Sequence, residues 1–144
     1  MSNVLLCRHL SKSYVQGENE TRVLEDLNLE VEAGELLAIV GSSGCGKSTF
    51  LHLAGALDTP CAGEVLLNGV EIHRLSDKEK AKYRNRHIGF IYQFHHLMME
   101  FSAEENVAMP LLIRGDNPKT AVKQAQDMLT QVGLSHRFSH RPSE

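Results

Sequence analysis

Nowhere in the 144 residues does an apolar run approach the roughly 20 residues that a membrane-spanning helix needs. The apolar start, Val4 to Cys7, is far too short for the core of a secretory leader. Cysteine is scarce. Cys7, Cys45 and Cys61 are odd in number and have neither disulfide nor metal-ligand spacing, so a reducing, cytoplasmic setting is expected. No excess of one charge is present either: the net charge of −3 argues against a nucleic-acid partner or general attraction to anionic lipid. Basic residues do gather at Lys78, Lys80, Lys82, Arg84 and Arg86. Their spacing of two scatters them around a helix, which reads as a solvated surface. No internal repeat or low-complexity stretch is evident. What remains is an ordinary soluble composition, 42% hydrophobic and 23% charged, long enough for one domain with a real core.

The first forty residues read as β-structure. Val4 to His9 is a short apolar segment, and Gln16 to Glu20 is a polar turn containing Gly17 and Asn19. Leu27, Leu29 and Val31 alternate with polar residues, the pattern of a strand with one buried face, and Ala33-Gly34 breaks it. Leu36 to Val40 is continuously apolar, as expected of a strand covered on both faces. From Lys47 the period becomes helical, with Phe50, Leu51, Leu53, Ala54 and Leu57 on one side, His52 on the other, and Pro60 and Gly63 as stops. Glu64 to Leu67, Asn68-Gly69 and Val70 to Ile72 predict a tight hairpin. Capping boxes at Ser76–Glu79 and Ser102–Glu105 open two helices, the first reaching about Arg86 and the second stopped by Pro110. Ile88 to Tyr92 reads as a further strand. A last helix begins at Asn117-Pro118, carries Ala121, Val122, Ala125, Met128, Leu129 and Val132 as its stripe, and ends at Gly133. This order predicts an α/β fold with a parallel core sheet and an antiparallel β-subdomain.

Between the apolar run and the first helix stands Gly41-Ser42-Ser43-Gly44-Cys45-Gly46-Lys47-Ser48, which matches G-x-x-x-x-G-K-[ST]. Each residue type has a reason. Glycines let the backbone turn with positive φ and approach phosphate without a Cβ in the way. Successive N–H groups form an anion nest, reinforced by the positive end of the helix that starts near Lys47. Lys47 would reach the β- and γ-phosphates and the Ser48 hydroxyl would ligate Mg²⁺. Chance alone produces the fixed positions in roughly one chain in two hundred of this size, before the strand–helix context is considered. Cys45, set among N–H donors beside Lys47, is expected to be alkylated faster than Cys7 and to be shielded by bound ATP. A small inert residue that simply fits the loop is the alternative.

A small GTPase would carry N-K-x-D for guanine, which is missing, and small-molecule kinases place this loop nearer their start. Leu10-Ser11-Lys12-Ser13-Tyr14 and Val23-Leu24-Glu25-Asp26-Leu27 resemble the opening strands of an ATP-binding cassette (ABC) domain. Phe90-Ile91-Tyr92-Gln93-Phe94 resembles its Q-loop strand. The longer runs IGFIYQFHHL (from Ile88) and ENVAMPLLI (from Glu105) are similar to the ATPase subunits of bacterial lipoprotein-releasing (Lol) transporters, and the likeness covers essentially the whole chain.

That resemblance implies ATP and Mg²⁺ as cofactors. Tyr14 would be the adenine platform, with Gly41, Ser42, Ser43, Gly44, Cys45, Gly46, Lys47, Ser48 and Thr49 around the triphosphate. Ser48 and Gln93 would serve Mg²⁺, and Gln93 would help place the attacking water. On residues alone Tyr14 is an ordinary strand tyrosine and Gln93 a surface amide. His95 and His96 lack a ligand cluster and read as surface around the Q-loop. The implied partners are transmembrane permease subunits and a second ATPase subunit, at the cytoplasmic face of the bacterial inner membrane. Phe94, Leu97, Met98, Met99 and Phe101 are candidates for docking or for core filling.

The family would continue with L-S-G-G-E, an apolar strand ending in Asp-Glu, and a switch histidine, none of which follows Pro142-Ser143-Glu144. Residues 1–144 are therefore expected to be the N-terminal part of one ABC ATP-binding domain, able to hold ATP but not to turn it over alone. Another exporter-type ABC ATPase (macrolide export or cell division) or a nucleotide-dependent module without hydrolysis are the other readings; a P-loop kinase lacks its acidic residue and acceptor pocket.

Overall fold

The computed structural model describes residues 3–144; Met1 and Ser2, the start of the stretch read for a leader, lie outside the described residues. The chain divides into two compact units, Met1–Arg84 and Asn85–Glu144.

The first unit is an antiparallel sheet with a helix packed on it. Strands β1 (Asn3–Gln16) and β2 (Asn19–Glu32) form a long hairpin around the expected turn, where Gly17 has φ 64°. Cys7 pairs with Leu29 and Leu5 with Val31, so the alternation in β2 is the alternation of half-buried and exposed faces. Strand β3 (Ala62–Leu67) joins the other edge of β1, and β4 (Val70–Glu71) completes the order β2-β1-β3-β4. Asn68 and Gly69 make the β3–β4 turn, both with positive φ, as the Asn-Gly pair predicts. Helix α1 (Lys47–Ala54) buries Phe50 and Leu53 against Cys7, Leu10, Leu24, Val65 and Ile72. Leu51 and Leu57, expected on that stripe, are exposed: Leu51 lies on the outer side of α1, and Leu57 lies beyond its end at Gly55, which comes well before Pro60.

Helix α2 (Asp77–His87) starts on the predicted capping box: Ser76 N–H donates to Glu79 Oε2 at 3.0 Å and Glu79 N–H to Ser76 Oγ at 3.4 Å. No α2 residue is fully buried, yet its basic residues are not all solvated. Arg84 donates to the Ala56 carbonyl at 2.8 Å, satisfying a group left over after α1, and the Tyr83 hydroxyl donates to Leu67 O at 2.8 Å.

In the second unit, α3 (Ala103–Arg114) and α4 (Pro118–Gln131) pack through Ala108, Ala121 and Ala125, small residues that let the two backbones approach. Both halves of the Ser102–Glu105 capping box form, and the Asn117 side chain caps α4. Pro110 does not stop α3. Proline's φ is helical, so the cost is one backbone donor and crowding of the carbonyl four residues before it, and Ala108 and Leu111 keep the helix packed on both sides of it until Gly115. Gly133 does follow α4, with φ 78°.

The two apolar runs expected as parallel strands, Leu36–Val40 and Ile88–Tyr92, form no sheet ladder. Leu36 is 99% exposed and Ile91 fully so. A strand forms only against a neighbour that takes up its N–H and C=O groups, and no other described segment offers one. The antiparallel layer is present as expected; these two runs are not part of any sheet.

Candidate nucleotide site

The Gly-rich loop links the Leu36–Val40 run to α1, and three local features give it its shape. Gly44 and Gly46 have φ of 81° and 93°, values that cost a side-chain-bearing residue strain. At Gly46 a Cβ would lie 3.0 Å from the Val23 carbonyl oxygen, so this glycine lets the loop press on β2. At Gly41 a Cβ would fall 2.5 Å from Cys45 Sγ, because the Cys45 side chain folds back over the start of the loop.

Lys47 closes the turn. Its ammonium donates to the carbonyls of Gly41 at 2.8 Å and Ser42 at 2.6 Å, and to Cys45 Sγ at 3.6 Å. Positive charge is thus held at the mouth of α1. The N-cap of α1 is Gly46, which has no side chain to cap with, and no acidic residue stands in the first turn. The first N–H groups of α1 consequently have no side-chain acceptor, which suits an anion. Ser48 is exposed and Thr49 half-buried. The loop therefore fits a polyphosphate: unspent N–H donors, a cation held beside them, and glycines where a Cβ would intrude. Beneath it a cleft of ≈ 380 Å³ lies between β2, residues 37–40 and Phe50 of α1.

Tyr14 stands near the end of β1 and is 44% exposed. Its hydroxyl donates to Asp58 Oδ2 at 2.9 Å, and the Lys12 ammonium lies 4.9 Å from the ring centroid. Lys12 also pairs with Asp58 Oδ1 at 2.8 Å and donates to Thr59 O at 2.7 Å. Burial raises the Asp58 carboxyl, but hydrogen bonds from Lys12, the Thr59 amide and Tyr14 outweigh it and hold the group below its usual range. Neither Lys12 nor Asp58 was among the expected site residues. The signal was readable: Lys12 alternates with Leu10 on the core side of β1, and a lysine there requires a carboxylate partner.

Gln93 belongs to the second unit and is exposed, within a stretch that is neither helix nor strand. Around it Phe90 and Tyr92 stack at 5.5 Å, and Tyr92 meets His96 edge-on at 4.9 Å. His95 Nδ1 accepts from the Leu97 amide at 3.1 Å. Among the described residues no group of three metal-ligating side chains forms. Phe94, Leu97, Met98, Met99 and Phe101 are all exposed, not core filling.

The ABC transporter family matches residues 24–144, which contain the loop, α1 and the stretch around Gln93. The chain belongs to the ABC transporter family. It is 71% identical over its whole length to the lipoprotein-releasing system ATP-binding protein LolD of Colwellia psychrerythraea, covering 56% of that protein. LolD of Pseudoalteromonas translucida is 54% identical over 97% of this chain and 60% of its own. LolD of Psychrobacter arcticus is 53% identical over all of this chain and 64% of its own. The chain thus spans rather more than half the length of these ABC relatives. Among solved structures, the ATP-binding cassette MJ0796, dimeric and bound to ADP and Pi, matches with a TM-score of 0.87 at 34% identity, over 96% of this chain and 62% of that one. A second dimeric structure of that bacterial ABC transporter cassette gives the same TM-score of 0.87.

The thiols report on the loop. Cys7 is buried in the sheet core, which pushes it up to about 11, whereas Cys45 is exposed beside the Lys47 ammonium. Alkylation of Cys45 is expected to be at least about tenfold faster than that of Cys7, since the accessible thiolate is the nucleophile. Mass-spectrometric mapping with and without Mg-ATP checks both parts: equal rates, or no protection of Cys45 by nucleotide, refutes the expectation and leaves Cys45 as an inert residue that fits the loop.

Proposed function

We propose that this chain is the nucleotide-holding N-terminal part of the ATP-binding subunit of a bacterial lipoprotein-releasing transporter. The observation that carries the reading is 71% identity to LolD over all 144 residues, with the phosphate loop intact. Residues 41–49 cradle the triphosphate: N–H groups of the loop and of the start of α1 bind its oxygens, and Lys47 turns from the Gly41 and Ser42 carbonyls to the β- and γ-phosphates. Tyr14 stacks on adenine. Ser48 and, as the family resemblance implies, Gln93 would each serve Mg²⁺, which would supply charge neutralisation for the phosphates. Gln93 also helps to orient the attacking water.

Hydrolysis needs charge neutralisation on both sides of the γ-phosphate. We place the second side, and the acidic residues of the reaction, in the part of the full-length protein that corresponds to the remainder of its relatives. That part also supplies ladder partners for Leu36–Val40 and Ile88–Tyr92. The dimeric state of the MJ0796 cassettes supports a two-subunit working unit. The exposed Phe94, Leu97 and Met98 suit docking on transmembrane permease subunits at the cytoplasmic face of the inner membrane. No helix among the described residues is long and apolar enough to cross a membrane.

Depleting the gene product in its own bacterium and fractionating the membranes tests the reading. Lipoproteins bound for the outer membrane should accumulate in the inner one. Normal lipoprotein sorting, with a defect in macrolide export or division instead, would transfer the chain to another exporter subfamily.

A further inference from the structure

Lys12, Asp58 and Tyr14 form a closed constellation that the phosphate loop does not require. Lys12 is 9% exposed although charged, and a buried ammonium is kept only where its donors are satisfied. Here it has the Asp58 carboxylate, the Thr59 carbonyl and the Tyr14 ring face. Asp58 uses both oxygens, Oδ1 for Lys12 and Thr59 N–H, and Oδ2 for the Tyr14 hydroxyl. Asp58 is itself fixed to α1, since its amide and that of Leu57 both donate to the His52 carbonyl. The carboxylate therefore ties a tyrosine on β1 to the helix whose first turn closes the phosphate loop.

We propose that Asp58 and Lys12 are positioning residues that hold the Tyr14 ring as a rigid platform for the base of a purine nucleotide. This deepens the reading of Tyr14 given above and rests on it. With the ammonium on one face, only the opposite face of the ring is open to a base, and the tether through the hydroxyl fixes the tilt of that face. A ring held before binding loses no rotamer freedom on binding, so the stacking interaction is kept in full. A positioning role of this kind acts on the base and not on the phosphates.

Binding of ATP and of inorganic tripolyphosphate to the gene's full-length product separates the two ends of the ligand. In Asp58→Asn, ATP affinity is expected to fall about tenfold, within the range for one stacked base, while tripolyphosphate affinity stays unchanged. Tyr14→Phe keeps the ring and cuts the tether, so it should lose ATP affinity about threefold or more, again sparing tripolyphosphate. Should Asp58→Asn fail to fold, Tyr14→Phe carries the test. Parallel loss of both ligands overturns the proposal, because it marks a general structural role. Unchanged ATP affinity in the two variants also overturns it. Tyr14→Ala is the control for the underlying reading. If it loses ATP affinity while the tether variants do not, only the positioning role fails. If it does not, the platform itself fails.

Discussion

Replacing Lys47 with alanine is expected to weaken ATP binding by about a hundredfold while leaving the fold in place. The ammonium makes two charge-assisted bonds to loop carbonyls, at 2.8 Å to Gly41 and 2.6 Å to Ser42. These hold the turn in shape and hold positive charge beside the uncapped first turn of α1. On phosphate the same group exchanges carbonyl dipoles for full negative charges, so binding gains more than the loop gives up. Bonds of this kind contribute ~1.5–3 kcal/mol each, and a net loss near 3 kcal/mol corresponds to roughly two decades in affinity. Lys47 is only half-buried and its ammonium bonds within the loop, so its loss should not change the unfolding temperature much. Titration with a fluorescent ATP analogue, alongside thermal melting, measures both. A change of less than threefold would refute the assigned role. Lys47→Arg should not restore binding, because a planar fork does not replace a compact point charge in so tight a turn.

Gly63→Ala should act in the opposite way, on stability first. β1 carries a bulge between Arg8 and Ser11 where it pairs with β3, and His9 there has φ 49°. The bulge turns the carbonyls of Arg8 and His9 toward Gly63. A Cβ on residue 63 would stand 2.3 Å from one of these oxygens and 2.5 Å from the other, and residue 63 has φ of 85°. Both partners are backbone, so nothing can rotate aside. The left-handed conformation costs ~1–2 kcal/mol for alanine, and displacing the ladder costs at least as much again. A total near 3 kcal/mol would lower the unfolding temperature by more than about 10 °C for a unit of this size. Circular dichroism melting checks this; a shift below about 3 °C would mean that the β1 bulge is soft. The consequence for the site is indirect but definite, since β1 also carries Lys12 and Tyr14.

Local signals were legible wherever the chain's own neighbours decide the outcome. The glycine-rich loop, the Asn68-Gly69 turn, the caps at Ser76, Ser102 and Asn117 and the alternation in β2 all depend on residues within a few positions of one another. Pro110 misled because the cost of a proline, one lost hydrogen bond and crowding of the carbonyl four residues before it, is local, whereas the packing that offsets it comes from α4, which local sequence does not reveal. Leu36–Val40 and Ile88–Tyr92 misled for a related reason. Apolar composition marks them for a buried sheet, but a ladder needs a second strand, and composition cannot supply one.

The phosphate loop and the class of ligand it suits were set by sequence alone, because eight consecutive residues contain the turn, the nest and the cation together. Only the tertiary structure decided what stands around Tyr14. Asp58 lies 46 positions from Lys12 and 44 from Tyr14 along the chain, and only the docking of α1 on the β1–β2 hairpin brings the carboxylate to both the ammonium and the phenol. Buried charge makes that meeting obligatory: an ammonium withdrawn from water must find its counter-charge, wherever in the chain it lies.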